Sequence, residues 1–204
     1  MSYLQAKINK KDALIKGRIA ESLVRELLSM LEMDVYAYGI ECQLPRIARL
    51  HHAGQVERNV ALMHVANQPD FIVCAHHNNK ATVYRVEVKF RANGKINVSE
   101  LSCYDDDVIF VLMDMETFYV LEKADLDKKY KGRSRLLFKS LRRLSQDSVF
   151  AFTPYQKKVV FEFSQYVSKY LGSPHIMGYL KPDKMLEDKQ TPLFKRVLSR
   201  LKRM

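Results

Sequence analysis

The chain has 204 residues, 47% of them hydrophobic, which is enough for one domain with a true core and excludes an intrinsically disordered segment. A formal net charge of +11 and a pI near 9.5 point to a polyanionic partner, nucleic acid first and an anionic membrane surface second. No apolar run is long enough to span a bilayer, and the first residues lack the apolar block of a secretory signal. The three cysteines, Cys42, Cys74 and Cys103, have no CxxC spacing. The expectation is therefore a cytoplasmic protein with buried free thiols.

Lys11 to Met33 shows helical periodicity, with Ala13-Leu14, Ile19-Ala20, Leu23-Val24, Leu27-Leu28 and Leu31 on one side. Gly17 interrupts it, which places the helix start near Arg18. Glu21 falls between apolar positions, where a helix-surface acid near the positive end of the dipole is the ordinary reading. Val35 to Ile40 reads as a first strand. Glu41 to Val56, with Pro45, Gly54, Arg46, Arg49, His51 and His52, reads as an irregular loop. A short helix over Glu57 to Val65 leads to Pro69-Asp70.

Phe71-Ile72-Val73-Cys74-Ala75 and Thr82 to Lys89 are two strands, the second rich in β-branched and aromatic residues. Asn78-Asn79 suits the two-residue loop between them, since Asn tolerates positive φ. That hairpin sets His77 opposite Lys80 and, counting outward, Asp70 opposite Glu87. Directly opposed residues have Cβ atoms about 4.5–5.5 Å apart. Two carboxylates that close repel unless a proton or cation lies between them. Lys89 leaves the same face as Glu87. On spacing alone, a solvated sheet face with a Pro-Asp turn is the competing account. The constellation otherwise offers two hard oxygen ligands for Mg²⁺ and an amine able to orient a water.

Pro69-Asp70, the hairpin and Glu87-Val88-Lys89 together resemble the signature of the PD-(D/E)XK, or restriction-endonuclease-like, nuclease superfamily. The resemblance implies that Asp70 and Glu87 ligate Mg²⁺ or Mn²⁺, that Val88 lends its backbone carbonyl, and that Lys89 assists the attacking water. It implies a role for an acid on the first helix. Gly17-Arg18-Ile19-Ala20-Glu21 is similar to that family's entry helix, so Glu21 is the candidate and Glu26 the second choice. The fold implied is α/β, a mixed central sheet flanked by helices, over residues 11–125. A homodimer is admissible, although no residue singles one out.

After a basic turn at Phe90 to Lys95, Val98 to Tyr104 reads as a short helix capped by Ser99. Glu100 stands where some members of that family carry Gln, and Tyr104 where they carry an aromatic. Asp105-Asp106-Asp107 is read as a turn. Val108 to Met113 is a buried central strand, and Thr117 to Leu121 is the next.

Residues 126–204 are expected to form a basic, mainly helical extension on or near the core. Between Lys128 and Arg143 lie Lys128, Lys129, Lys131, Arg133, Arg135, Lys139, Arg142 and Arg143 without one acid. With Leu136, Leu137, Phe138, Leu141 and Leu144 they suggest that the second half of this segment is a helix whose basic face contacts phosphates. Ser148 to Thr153 reads as an edge strand, Val159 to Leu171 as a helix, and Pro192 to Met204 as a basic amphipathic tail. The expected function is hydrolysis of phosphodiester bonds by an Mg²⁺-dependent endonuclease, with DNA the first substrate. The alternatives are a catalytically inactive nucleic-acid-binding protein on the same fold, or a membrane- or partner-binding protein acting through its basic tail.

Overall fold

A computed structural model describes residues 3–55, 60–77 and 80–171. The chain begins with helix α1 (Tyr3–Met30), whose buried residues Ala20, Val24, Leu27 and Leu28, with Leu31 just beyond, recur every three or four positions. Gly17 lies within this helix and does not start it, because the turns before it continue the same hydrogen-bonded ladder. The helix closes in a Schellman arrangement. The Met33 N–H donates to the Leu28 carbonyl and the Glu32 N–H to the Ser29 carbonyl. Glu32 occupies the left-handed position of that motif, with φ 63°.

Strand β1 (Asp34–Ala37) follows, then helices α2 (Ile40–Gln43), α3 (Pro45–His52) and α4 (Val60–Ala66). The segment expected to be irregular between Glu41 and Val56 is thus largely helical. Pro45 opens α3 at a position where its missing N–H has no helical partner to lose, and Ile40, Ala48 and Leu62 bury one another. Strands β2 (Phe71–His77) and β3 (Lys80–Phe90) pair antiparallel, with Phe71 opposite Val86 and His77 opposite Lys80. The loop expected at Asn78-Asn79, the start of the helix expected at Glu57 and the tail from 192 to 204 lie outside the described residues.

Next come β4 (Lys95–Asn97), β5 (Val108–Met113), β6 (Phe118–Glu122), α5 (Lys123–Lys129), β7 (Arg135–Leu137), β8 (Arg142–Arg143) and α6 (Pro154–Leu171). Six strands form one sheet in the order β1-β2-β3-β5-β6-β8, while β4 and β7 form a separate ribbon. All neighbours in the large sheet are antiparallel except β3 and β5, which run parallel with Glu87 beside Phe110. The protein is therefore α/β, with a mixed six-stranded sheet flanked by helices.

Every residue of β5 is buried, because both faces of the sheet are covered. On one face Ile109, Val111 and Met113 meet Val86 and Val88 of β3, Val24 and Leu28 of α1, and Val160, Phe163 and Val167 of α6. On the other, Val108, Phe110 and Leu112 meet Leu126 of α5 and Ile96, Leu136 and Phe138 around the β4–β7 ribbon. The division expected between 125 and 126 falls within α5, and β8, Leu144, Phe150, Phe152 and α6 pack on the same sheet as α1.

Three further expectations are corrected. The second half of 128–143 is not an α-helix: α5 ends at Lys129, Gly132 turns the chain at φ 80°, and two strands follow. Leu136 and Phe138 are buried while Leu137 between them is 53% exposed, the alternation of a strand. Val98 to Tyr104 contains only a 3-10 turn, Val98–Glu100, preceded by Asn97 and not by Ser99. Glu100 reaches back to the Asn97 N–H at 3.3 Å and fixes that start. Ser148 to Thr153 is not a strand; Arg142 and Arg143 pair with Val120 and Tyr119 at that edge instead. The thiols also differ from expectation, since Cys42 and Cys103 are exposed and Cys74 is half-buried, all three free. Among the described residues, no helix is long and apolar enough to cross a membrane.

Candidate active site

Asp70 ends the approach to β2, and Glu87 and Lys89 leave β3 toward the same face. The pairing of Phe71 with Val86 continues by one step to bring Asp70 against Glu87. The two are braced reciprocally. The Asp70 N–H donates to Glu87 Oε2 at 3.1 Å, and the Val88 N–H donates to Asp70 Oδ2 at 2.8 Å. The Asp70 carbonyl accepts from the Tyr38 N–H at 2.8 Å, which ties the site to the end of β1. Gly39 follows, and a Cβ there would stand 3.8 Å from Asp70 Cα and 3.5 Å from Glu41 Oε2. Main chain and carboxylates thus converge from three segments.

Lys89 Nζ makes an ion pair with Glu87 Oε1 and donates to the Tyr104 hydroxyl at 3.1 Å. That hydroxyl in turn donates to Glu87 Oε1 at 2.6 Å, and the Tyr104 ring stands edge-on to Phe110. Glu87 is 3% exposed, so its charge is carried by partners and hardly by water. Burial opposes the charge on Lys89, but Glu87 and Tyr104 outweigh it and hold the ammonium above its ordinary value. Burial, then the neighbouring Glu87 charge, raises the Tyr104 phenol as well.

Asp70 is the group under most tension. Burial, followed by the charges of Glu87 and Glu21, pushes it up to about 8, against the pull of the Val88 N–H and Lys89. Glu21 is raised in the same direction, by burial first, with Arg18 opposing and Glu41 and Glu87 adding to it. Glu21 therefore lies within electrostatic reach of Asp70 and Glu87 from α1. It does not close into one tight cluster with them. Among the described residues, the only trio of His, Cys, Asp or Glu side chains whose donor atoms all lie within 4.8 Å of one another is Asp34, Cys74 and His76. Glu26, the second choice on α1, has a buried Oε1 without a hydrogen-bond partner and is not among the charges acting on Asp70.

A carboxylate driven toward its protonated form by burial, and then by two other carboxylates, is a place for a proton or a cation. The donors are all hard oxygens, which suits Mg²⁺ or Mn²⁺ better than a soft metal. Glu41 escapes a reading of the sequence, whereas Tyr104 stands where the resemblance places an aromatic. Glu41 follows strand β1 in a stretch without a motif; only the glycine two residues before it marks a close approach. Tyr104 lies on the segment after Glu87-Val88-Lys89, and its hydroxyl completes the Glu87–Lys89 triangle. Glu100 turns away, paired with Arg91 and the Asn97 amide. Asp105 and Asp107 are held by Arg85 at 2.8 Å each, and Asp106 by Lys123 at 3.4 Å, as the turn reading implies.

The eight basic residues between 128 and 143 are all exposed. Three have acid partners: Lys129 with Asp125 one turn earlier on α5, Lys139 with Glu116 and Arg142 with Asp147. Arg135 donates to the Asn97 side chain, and the Phe138 N–H donates to the Gly94 carbonyl. The basic segment is thereby tied to the turn that follows Lys89. Set against family models, curated proteins and solved structures, the chain matches none of them.

Proposed function

We propose that the protein is a metal-dependent nuclease that hydrolyses phosphodiester bonds, with DNA its first substrate, on a core of the restriction-endonuclease-like kind. The observation that carries this reading is the reciprocal bracing of Asp70 and Glu87 with Lys89 beside them. Asp70 and Glu87 would hold the cation with the Val88 carbonyl, and Glu21 and Glu41 would add negative potential to the site. A bound Mg²⁺ or Mn²⁺ supplies a water of lowered pKa and neutralises charge on the scissile phosphate. Lys89, held charged, acts as a donor that positions the attacking oxygen and steadies a phosphate oxygen. Tyr104 fixes the angle of Lys89 and Glu87. Exposed Lys128, Lys131, Arg133, Arg135 and Arg143, together with their three ion-paired neighbours, track the phosphate backbone.

The test is cleavage of labelled single-stranded, duplex and branched DNA, and of RNA, with Mg²⁺ or Mn²⁺. Wild type is run beside Asp70→Asn and Lys89→Met. Cleavage that requires metal and falls at least a hundredfold in both variants supports the assignment. Nucleic-acid binding without cleavage in wild type, undiminished in both variants, would replace it with a binding module.

A further inference from the structure

A second cluster of ligand atoms lies elsewhere on β2. Asp34 of β1 is the cross-strand partner of Cys74, and His76 is two residues beyond Cys74, so the three side chains leave one face of the sheet together. His76 Nε2 is 3.0 Å from Asp34 Oδ2 and 3.7 Å from Cys74 Sγ, and the three donor atoms all lie within 4.8 Å of one another. Donors around a tetrahedral zinc with bonds of about 2.0–2.3 Å stand about 3.3–3.8 Å from each other. The His76–Cys74 spacing falls within that range and the His76–Asp34 spacing just below it. A hydrogen-bonded surface pair would explain Asp34 and His76 alone, yet such a pair contributes little and leaves the thiol beside them without a role.

We infer that Asp34, Cys74 and His76 form a binding site for Zn²⁺, with a fourth position open to water or to a ligand from outside. The donor set makes the choice of metal. A thiolate with an imidazole is soft and nitrogen-rich, and disfavours Mg²⁺ and Ca²⁺. Both His76 and Asp34 are more than half exposed, so an ion can enter from solvent. Cys74 lies four residues along the strand from Asp70, roughly 13 Å. The site is thus separate from the carboxylate cluster and does not rest on the nuclease reading. Its mechanical effect follows from topology: the ion joins β1 to β2 at the end of their pairing, next to the point where Asp34 opens the strand.

Cobalt titration of the reduced full-length chain tests this, because Co²⁺ bound to a thiolate gives a charge-transfer absorption. The expected result is a band that saturates at one equivalent, is displaced by Zn²⁺, and is lost in Cys74→Ser and His76→Ala. It should persist in the Cys42→Ser/Cys103→Ser double variant and in Asp70→Asn. Zn²⁺ should also protect Cys74, and neither other cysteine, from alkylation read by mass spectrometry of the wild-type chain, which needs no variant to fold. Absence of the band, its survival in Cys74→Ser, or alkylation of Cys74 unchanged by Zn²⁺ would overturn the assignment.

Discussion

At the scale of single residues, Asp70 decides how the protein responds to pH. Its folded value near 8 lies above the ordinary 3.8, so the folded chain holds a proton that the unfolded chain releases. Below about pH 4 the group is protonated in both states and costs the fold nothing. Stability then declines through the window from about 4 to 8, and the whole cost, on the order of several kcal/mol, is present above it. Asp70→Asn should therefore raise the melting temperature of the metal-free protein above pH 8, with the gain fading toward pH 4. Melting curves in a chelator across that range check this, and a gain independent of pH would contradict it. Adding Mg²⁺ to wild type should raise the melting temperature more at pH 8 than at pH 5. Of these neighbours, the opposition of Asp70 and Glu87 was legible in the sequence, because antiparallel pairing converts a count along two strands into a distance. Glu41 was not, since its approach depends on how the end of β1 lies against the Asp70 carbonyl, and no local pattern encodes that.

At the scale of elements, α1 carries an avoidable strain. Glu32 adopts φ 63° to complete the helix stop, a conformation that disfavours any side chain with a Cβ. Its side chain is exposed, so nothing packed is lost on removing it. Glu32→Gly should stabilise the protein by about 0.5–1 kcal/mol, measured by urea unfolding with an unchanged m-value. A loss of stability would mean that the Glu32 side chain has an energetic role beyond the stop. The elements with strong periodicity, α1, β2, β3, β5 and α6, were legible because each buries a regular set of side chains. Helices α2, α3 and α5 were not, and neither were the strands β4, β7 and β8, which are two or three residues long. The existence of these strands rests on partners about 40 residues away for the ribbon and over 20 for β8, and each carries at least one cation. The stretch 135–138 reads as helix in the sequence, and the burial of Leu136 and Phe138 against β5 and β6 makes it extended instead.

For the whole molecule, the last described third of the chain completes the core. Phe150 is fully buried, edge-on to Tyr84 of β3 at 5.1 Å and stacked with Phe152 at 5.4 Å. Phe150→Ala should cost about 3–5 kcal/mol and leave unfolding as one transition by circular dichroism and tyrosine fluorescence alike. Two separated transitions would show that the segment folds apart from the sheet. The charge of +11 belongs to the same scale. For duplex DNA, the plot of log affinity against log salt should flatten by about 0.9 per phosphate contact removed, hence by about 1–2 in Arg135→Gln/Arg143→Gln. An unchanged slope would place the DNA elsewhere. The sheet's two margins carry a last consequence. One is a four-residue strand opening on Asp34, and the other is only Arg142-Arg143. Margins so short and charged are poor templates for a neighbour's backbone, and like-charged particles repel over a Debye length. Fibrillar growth by strand addition is therefore disfavoured at both ends. In colloidal terms, neutralisation by a polyanion, more than crowding of the copies, is what would drive this chain out of solution.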